Sequence, residues 1–124
     1  AVDIDPVIIE IAKIEFDLKE NDQLIIVCDD ALQFMKINKD QYDLIIIDLF
    51  IDIVMPKPFL ELSFWQNVIK ASSTNGIILF NASLEKTKSN SLNDVISFLK
   101  TRMYQTVVFE KINDTNTIII AKGL

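Results

Sequence analysis

The sequence predicts an α/β fold: a mostly parallel sheet with helices on both faces, closed by an antiparallel hairpin. Strand-like and helix-like stretches alternate from Val2 to Asn81, which is typical of parallel sheets with right-handed crossovers. The stretch from Tyr42 to Phe50, YDLIIIDLF, has the continuous apolar character of a strand buried on both faces. Near the end, two strand-like stretches flank the turn signal Asn113-Asp114, which indicates a hairpin.

The first predicted elements are the end of a strand and a helix. Val2 to Ile4 is interpreted as the strand end. Asp5-Pro6 then predicts a helix start, because Asp caps free N–H groups and Pro fits the first helical position. Asn21-Asp22 is expected to end this helix. The apolar residues at helical spacing, which predict one buried face, are Ile8, Ile11, Ala12 and Phe16.

A second strand and helix lead to the central strand. Leu24 to Cys28 is the predicted strand, followed by Asp29-Asp30 and an amphipathic helix. Asn38 to Gln41 is a predicted turn, and Tyr42 to Asp48 is the central strand. The apolar residues of the helix are Leu32, Phe34 and Met35.

The next segment contains a loop, a helix and a fourth strand. Phe50 to Pro58 is predicted to be a loop and Phe59 to Lys70 a helix, with Trp65 in the core. Ser72 to Asn75 is polar and Gly76 marks a turn into a strand with the letters IILFN.

The remaining residues predict a loop, a helix and the hairpin. Ser83 to Ser91 is a polar loop, and the two last strands are Thr106 to Glu110 and Thr117 to Ala121. The apolar residues of the helix between them and the loop are Leu92, Val95, Ile96 and Leu99.

The amino-acid composition argues against several classes of function. The 124 residues suggest one domain, residues 1–124. The net charge of −6 disfavours binding to nucleic acid or an anionic membrane, which need basic patches, but would not repel a small amine. The chain has no histidine, so Ser-His-Asp and Cys-His catalysis are excluded and no metal site is predicted. A lone cysteine, Cys28, and the absence of a signal peptide or membrane-spanning apolar run predict a cytoplasmic protein without an intrachain disulfide.

Acidic residues follow three predicted strands where each strand ends. Carboxylates at the ends of parallel strands meet at one edge of the sheet, where ligands of open α/β folds bind. A carboxylate there can accept ribose hydroxyls or an adenine amino group, or can face an amine. Helix capping is the alternative role, and the simplest one for Asp5, because Asp is a preferred N-cap residue. The acids are Asp3 and Asp5, Asp29 and Asp30, and Asp48.

Four motifs in this order resemble a known family. The motifs are VDIDP at Val2 to Pro6, DDALQFM at Asp29 to Met35, YDLIIIDLF at Tyr42 to Phe50 and NGIILFN at Asn75 to Asn81. The closing letters DTNTIIIAKG are similar to the family's final strand. Together the motifs resemble the spermidine synthase branch of the class I S-adenosylmethionine-dependent methyltransferase fold, over nearly the whole chain.

The resemblance implies a Rossmann-like fold and a transferase that moves a methyl or aminopropyl group. The implied cofactor is S-adenosylmethionine or its decarboxylated form. By motif position, Asp3 is implied to hold the ribose hydroxyls, with Ile4 beside it, and Asp30 and Ala31 are implied to contact the adenine. Asp48 is implied to bind the cofactor and to act catalytically by orienting and deprotonating an attacking amine.

The sequence departs from the family pattern around two of these acids. In the family, the acid at the position of Asp48 leads a motif of small polar residues and a second acid that grips the polyamine. Here Leu49 and Phe50 are apolar, and the second acid is displaced to Asp52. Asp29 stands where the family has a glycine. The departure after Asp48 weakens the case for a polyamine substrate.

The family's first strand and glycine-rich loop would precede Val2 and are missing from this sequence. The only glycines are Gly76 and Gly123. That strand would lie between the strands that end at Asp5 and Asp48, so we expect an incomplete domain that binds the cofactor weakly or not at all. Exposed strand edges tend to pair with other chains, so we also expect a homodimer or a rearranged sheet.

Three other interpretations fit part of the sequence pattern. Asp29-Asp30, Asp48 and Met55-Pro56 imitate a response-regulator receiver, but the 17 residues between Asp30 and Asp48 hold only one helix and one strand. An NAD-type Rossmann domain would also place an acid after its second strand, but G-x-G-x-x-G is absent. The third alternative is a non-catalytic scaffold or dimerisation domain that kept the fold and lost the chemistry.

Overall fold

The computed structural model describes residues 1–52, 54–82, 89–112 and 116–124. The chain divides into two compact units, Ala1–Asn38 (unit 1) and Lys39–Leu124 (unit 2). The elements of unit 1 are β1 (Val2–Asp3), α1 (Pro6–Glu15), β2 (Val27–Cys28) and α2 (Ala31–Ile37). The elements of unit 2 are β3 (Tyr42–Ile47), a 3₁₀ helix (Lys57–Leu60), α3 (Leu62–Ala71), β4 (Ser72–Asn81), α4 (Asn90–Thr101), β5 (Tyr104–Ile112) and β6 (Asn116–Gly123).

Unit 1 is built on a short parallel pair of strands. β1 and β2 run parallel, with Asp3 opposite Cys28. Asp5 caps α1, which begins with Pro6, as the sequence predicted. Asp30 caps α2 in the same way. Both caps fix the direction in which a helix leaves the carboxyl end of its strand.

The prediction that one face of α1 is buried is wrong. The helix forms, but none of its residues is buried, and Ile8 and Phe16 are 51% and 78% exposed. The two-residue strands of unit 1 are too small to cover an apolar helical face. The helix also ends at Glu15, well before the expected break at Asn21-Asp22, because the chain turns at Asp17 with a φ of 51°.

Unit 2 contains a four-stranded mixed sheet in the order β3-β4-β6-β5. β3 and β4 are parallel, whereas β6 runs antiparallel to both β4 and β5, which confirms the predicted hairpin. The hairpin turn signal Asn113-Asp114 and most of the predicted loop Ser83 to Ser91 lie outside the described residues. Among the described residues, no helix is long and apolar enough to cross a membrane.

The core of unit 2 lies between one face of this sheet and helices α3 and α4. Trp65 is fully buried, as predicted, and its ring meets the rings of Phe64 and Phe80 edge to face at 6.1 and 4.9 Å. The indole N–H donates to the carbonyl of Phe59 at 2.9 Å. The predicted apolar residues of α4, all buried, are Leu92, Val95, Ile96 and Leu99.

The opposite face of the sheet, called here the outer face, is also apolar. Leu44 and Ile46 of the edge strand β3 are 54% and 62% exposed. Register pairs place further apolar side chains on the same face, because directly opposed residues point the same way. The outer face consists of Leu44, Ile46, Ile77, Leu79, Val107, Phe109, Ile118 and Ile120.

The predicted turn before the fourth strand is instead part of β4. The pairing with β3 jumps from Tyr42 opposite Ser72 to Leu44 opposite Ile77, so the intervening residues of β4 bulge out. Asn75 turns the chain with a φ of 62°. A Cβ on Gly76 would lie 2.9 Å from the backbone carbonyl oxygen of Ser73 and 2.5 Å from the Ser72 Oγ, so the bulge needs glycine there. The polar residues therefore do bend the chain, but they stay within the ladder.

Candidate functional site

Four acids gather at the carboxyl end of the parallel pair in unit 1. Asp3 and Asp5 come at and after the end of β1, and Asp29 and Asp30 follow β2. The N–H of Asp29 donates to the carbonyl of Asp3 at 3.1 Å, which holds the two segments side by side. We call these four residues the acid edge. It lies where ligands bind in open α/β sheets.

One oxygen of each carboxylate at the acid edge is engaged by the backbone. Asp3 Oδ1, Asp5 Oδ1 and Asp30 Oδ1 each accept the N–H two residues further on, at 2.8 Å. Asp29 Oδ1 accepts the next N–H, that of Asp30, at 2.8 Å. The capping roles weighed for Asp5 and Asp30 are thus confirmed. For Asp3 and Asp30, the other oxygen has no partner among the described residues and can accept a donor from a ligand.

The surroundings of the acid edge combine acceptors with small apolar surfaces. Ile4 is 68% exposed, and Ala31 is half-buried beside Asp30. Asp29 and Asp30 are half-buried, whereas Asp3 is exposed. No lysine or arginine of the described ranges forms an ion pair with these acids. Such an arrangement can accept hydroxyl or amino donors and contact a flat ring.

Asp48 belongs to unit 2, where it directly follows β3 and is exposed. Its Oδ1 accepts a hydrogen bond of 3.0 Å from the side-chain amide of Asn81, the last residue of β4. The place of Asp48 relative to the acid edge stays a prediction. Sequence reasoning assigned no role to Asn81. The available signal was a polar residue that closes an apolar run at a strand end, the same signal that identified Asp48.

The segment after Asp48 is a tight apolar turn. Ile51 and Val54 exchange two backbone hydrogen bonds of 3.0 Å, and both side chains are exposed. Asp52 has a φ of 54° within this turn. Leu49 and Phe50, which replace the small polar residues of the polyamine-gripping motif, are half-buried, so exposed apolar side chains follow Asp48 only from Ile51 onward.

Comparison with protein-family profiles shows which family the chain belongs to. A sequence profile described as the spermine/spermidine synthase domain matches residues 1–119. The chain belongs to this family. A search of curated proteins found no match.

Solved structures agree on the fold. Human methyltransferase-like protein 13, solved in complex with SAH, has a TM-score of 0.81 and 23% identity, over 100% of this chain and 60% of that one. A probable spermidine synthase from Corynebacterium glutamicum has a TM-score of 0.81 and 16% identity, over 98% of this chain and 46% of that one. The N-methyltransferase NodS from Bradyrhizobium japonicum has a TM-score of 0.60 and 15% identity, over 98% and 71%. The chain therefore has the class I methyltransferase fold, and it spans about 60% and 46% of the first two proteins.

Proposed function

We propose that residues 1–124 form one methyltransferase-like domain that supplies the nucleoside-binding part of a transferase. The cofactor would be S-adenosylmethionine or its decarboxylated form, and the transferred group a methyl or aminopropyl group. Family membership supports a transferase related to spermidine synthases. The proposal depends chiefly on one observation: Asp3 and Asp30 are brought to the same end of a parallel strand pair.

The residues of the acid edge fit a nucleoside. Asp3 would accept the ribose hydroxyls through the oxygen that the backbone does not use, with the exposed Ile4 beside it. Asp30 would accept from the adenine amino group through its second oxygen, and Ala31 leaves room for the ring. When bound, the cofactor supplies an electrophilic carbon next to a sulfonium. The human structural relative was solved with SAH, which supports this class of ligand.

Asp48 is the proposed catalytic residue. In this proposal its carboxylate binds and orients the acceptor, a small amine, and takes an N–H proton at its unoccupied oxygen. The apolar turn at Ile51 and Val54 favours an amine with an apolar body over a long polyamine. The protein's acidity, −6 in net charge, suits a cationic acceptor.

Calorimetric titration with 5′-methylthioadenosine and S-adenosylmethionine tests the nucleoside site. It should be done on residues 1–124 and on a form extended at the N-terminus. The test variants are Asp3→Ala and Asp30→Ser, because serine keeps the helix cap but removes the carboxylate. Asp5→Ser is the matched control, since it retains a cap and removes an acid with no proposed ligand contact.

We expect at least about tenfold weaker nucleoside binding in both test variants, because hydrogen bonds to charged groups contribute roughly 1.5–3 kcal/mol. The control should bind like the unchanged chain. If neither form binds either nucleoside, or if Asp5→Ser weakens binding as much as Asp30→Ser, the proposed site is wrong.

A non-catalytic scaffold that dimerises is the second candidate. The exposed apolar outer face and the open edge of β3 favour it, because both invite association with another chain. Sedimentation equilibrium checks this role: a homodimer that forms without nucleoside binding would support the scaffold. A cytoplasmic location remains a prediction.

A further inference from the structure

Asn81 and Asp48 form a side-chain pair at the carboxyl ends of two neighbouring parallel strands. Ile47 of β3 lies opposite Phe80 of β4, so the next residues, Asp48 and Asn81, end the two strands side by side. The amide Nδ2 of Asn81 donates to Asp48 Oδ1 at 3.0 Å. Because an ionised carboxylate only accepts, this contact also fixes which end of the Asn81 amide carries the nitrogen.

Asn81 is held more firmly than Asp48. Its backbone pairs with Ile118 of β6, and the following residue, the fully buried Ala82, donates its N–H to the Thr117 carbonyl at 2.9 Å. Asp48 is exposed and lies just beyond β3. The amide therefore acts as the fixed partner, and the carboxylate takes its orientation from it.

The pair has more acceptors than its surroundings satisfy. Asn81 Oδ1 is buried and has no hydrogen-bond partner in the part of the chain that the structure describes. No cation of the described residues forms an ion pair with Asp48. Asp48 Oδ2 likewise has no donor among the described residues, and a protonated amine, with several N–H donors and a positive charge, would supply one.

We propose that Asn81 is a positioning residue that orients the Asp48 carboxylate to receive a protonated amine, an inference that rests on the amine-facing role proposed above for Asp48. Asn81 holds Oδ1 of the carboxylate, so Oδ2 is directed to the amine. The site thus selects an N–H donor over a hydroxyl compound of similar size, because only the amine carries the compensating charge.

The test is an NMR titration of the chain with 1,3-diaminopropane, and with 1,3-propanediol as the uncharged comparison. The signals followed are the side-chain amide of Asn81 and the backbone N–H groups around Asp48. Asn81→Leu removes the donor at similar size, and Asn81→Ser is a second variant that is too short to reach Asp48. Asp48→Asn removes the charge and keeps the shape.

The same strand pair offers a matched control. Ser73 of β4 donates to Asp43 Oδ1 of β3 at 2.5 Å, near the other end of the two strands. Ser73→Ala therefore removes an equivalent donor to a β3 carboxylate away from the proposed site. Its amine affinity should equal that of the unchanged chain.

We expect diaminopropane to shift the Asn81 amide signals, with affinity lowered about tenfold in both Asn81 variants and lost in Asp48→Asn. Equal affinity in Asn81→Leu, Asn81→Ser and the unchanged chain would overturn the inference, as would equal shifts around Asp43 and Asp48. The nucleoside titrations report on the acid edge alone. Amine binding without nucleoside binding would therefore contradict the proposed transferase and support this inference. Nucleoside binding without amine binding would support the nucleoside site and overturn this inference.

Discussion

Trp65 offers the sharpest test of how unit 2 is held together. It is fully buried between α3 and the sheet, and its indole N–H is the donor to the Phe59 carbonyl at 2.9 Å. Trp65→Phe keeps an aromatic ring that can still meet Phe64 and Phe80, but it removes this donor. Trp65→Ala removes the ring contacts as well. The two substitutions separate the hydrogen bond from the packing.

The expected losses follow from these contacts. Trp65→Phe leaves the Phe59 carbonyl without its donor and removes part of a large ring, which should cost about 2–3 kcal/mol in the free energy of unfolding. Trp65→Ala opens a cavity lined by aromatic side chains and should cost about 3–5 kcal/mol. Typical domains are stable by only about 5–15 kcal/mol, so the second variant should approach unfolding.

Urea unfolding followed by far-UV circular dichroism measures these losses, because Trp65 is the only tryptophan and its fluorescence disappears in both variants. Gln66→Ala is the control: it changes the next, exposed residue of α3 and should stay within about 0.5 kcal/mol of the unchanged chain. If Trp65→Phe were as stable as the control, the indole hydrogen bond would contribute nothing and the expected loss would be refuted. Equal destabilisation of the two Trp65 variants would refute the contribution of ring packing.

Three further predictions concern caps and ionisable groups. Ser89→Ala should lower the free energy of unfolding by about 1 kcal/mol, measured by urea unfolding, because Ser89 caps α4 through its hydroxyl; Ser89→Asp, which can also cap, should not. The pKa of Glu20 lies below its usual 4.5, first because its carboxylate accepts the Ile26 N–H and second because Lys13 is nearby. The stability that this lowered pKa provides is present above pH 4.5 and is lost as the pH falls through the lowered pKa. In an NMR titration the chemical shift of the Ile26 amide should therefore follow the ionisation of Glu20, and it should stay constant in Glu20→Gln. Burial, and less strongly the neighbouring Asp40, raises the pKa of Tyr42 above 10.0, so the free energy of unfolding should fall as the pH rises above 10.0. An absorbance titration of the phenolate in which Tyr42 ionised below pH 10.0 would contradict this.

The sequence predicted elements well where a single local pattern decides the structure. The apolar spacing from Leu92 to Leu99 fixes one helical face, and a sheet is available to cover it, so α4 forms and is buried as expected. The same kind of spacing from Ile8 to Phe16 predicts the helix α1 but not its burial. Burial depends on whether another element covers the face, and a local pattern carries no such information.

The candidate site also has one part that the sequence pattern predicted and one part that it did not. The acids Asp3 and Asp30 lie at one edge because parallel strands must end together, which the alternation of strands and helices already implies. The partnership of Asp48 with Asn81 depends on the register between β3 and β4. The residue pattern before Ile77 indicated a turn but not that these residues stay paired with β3 as a bulge, so the register and the contact could not be derived from the sequence.

The apolar outer face also affects how this protein should be assayed. Dyes such as 8-anilinonaphthalene-1-sulfonate bind exposed apolar surface, and their fluorescence is commonly used to detect molten globules. Because Leu44, Ile46 and their neighbours are exposed in the folded sheet, the native chain should itself bind such dyes. Dye fluorescence would therefore falsely indicate loss of packing. The near-UV circular dichroism of Trp65, which requires a fixed environment around the indole, is the appropriate criterion of nativeness for this fold.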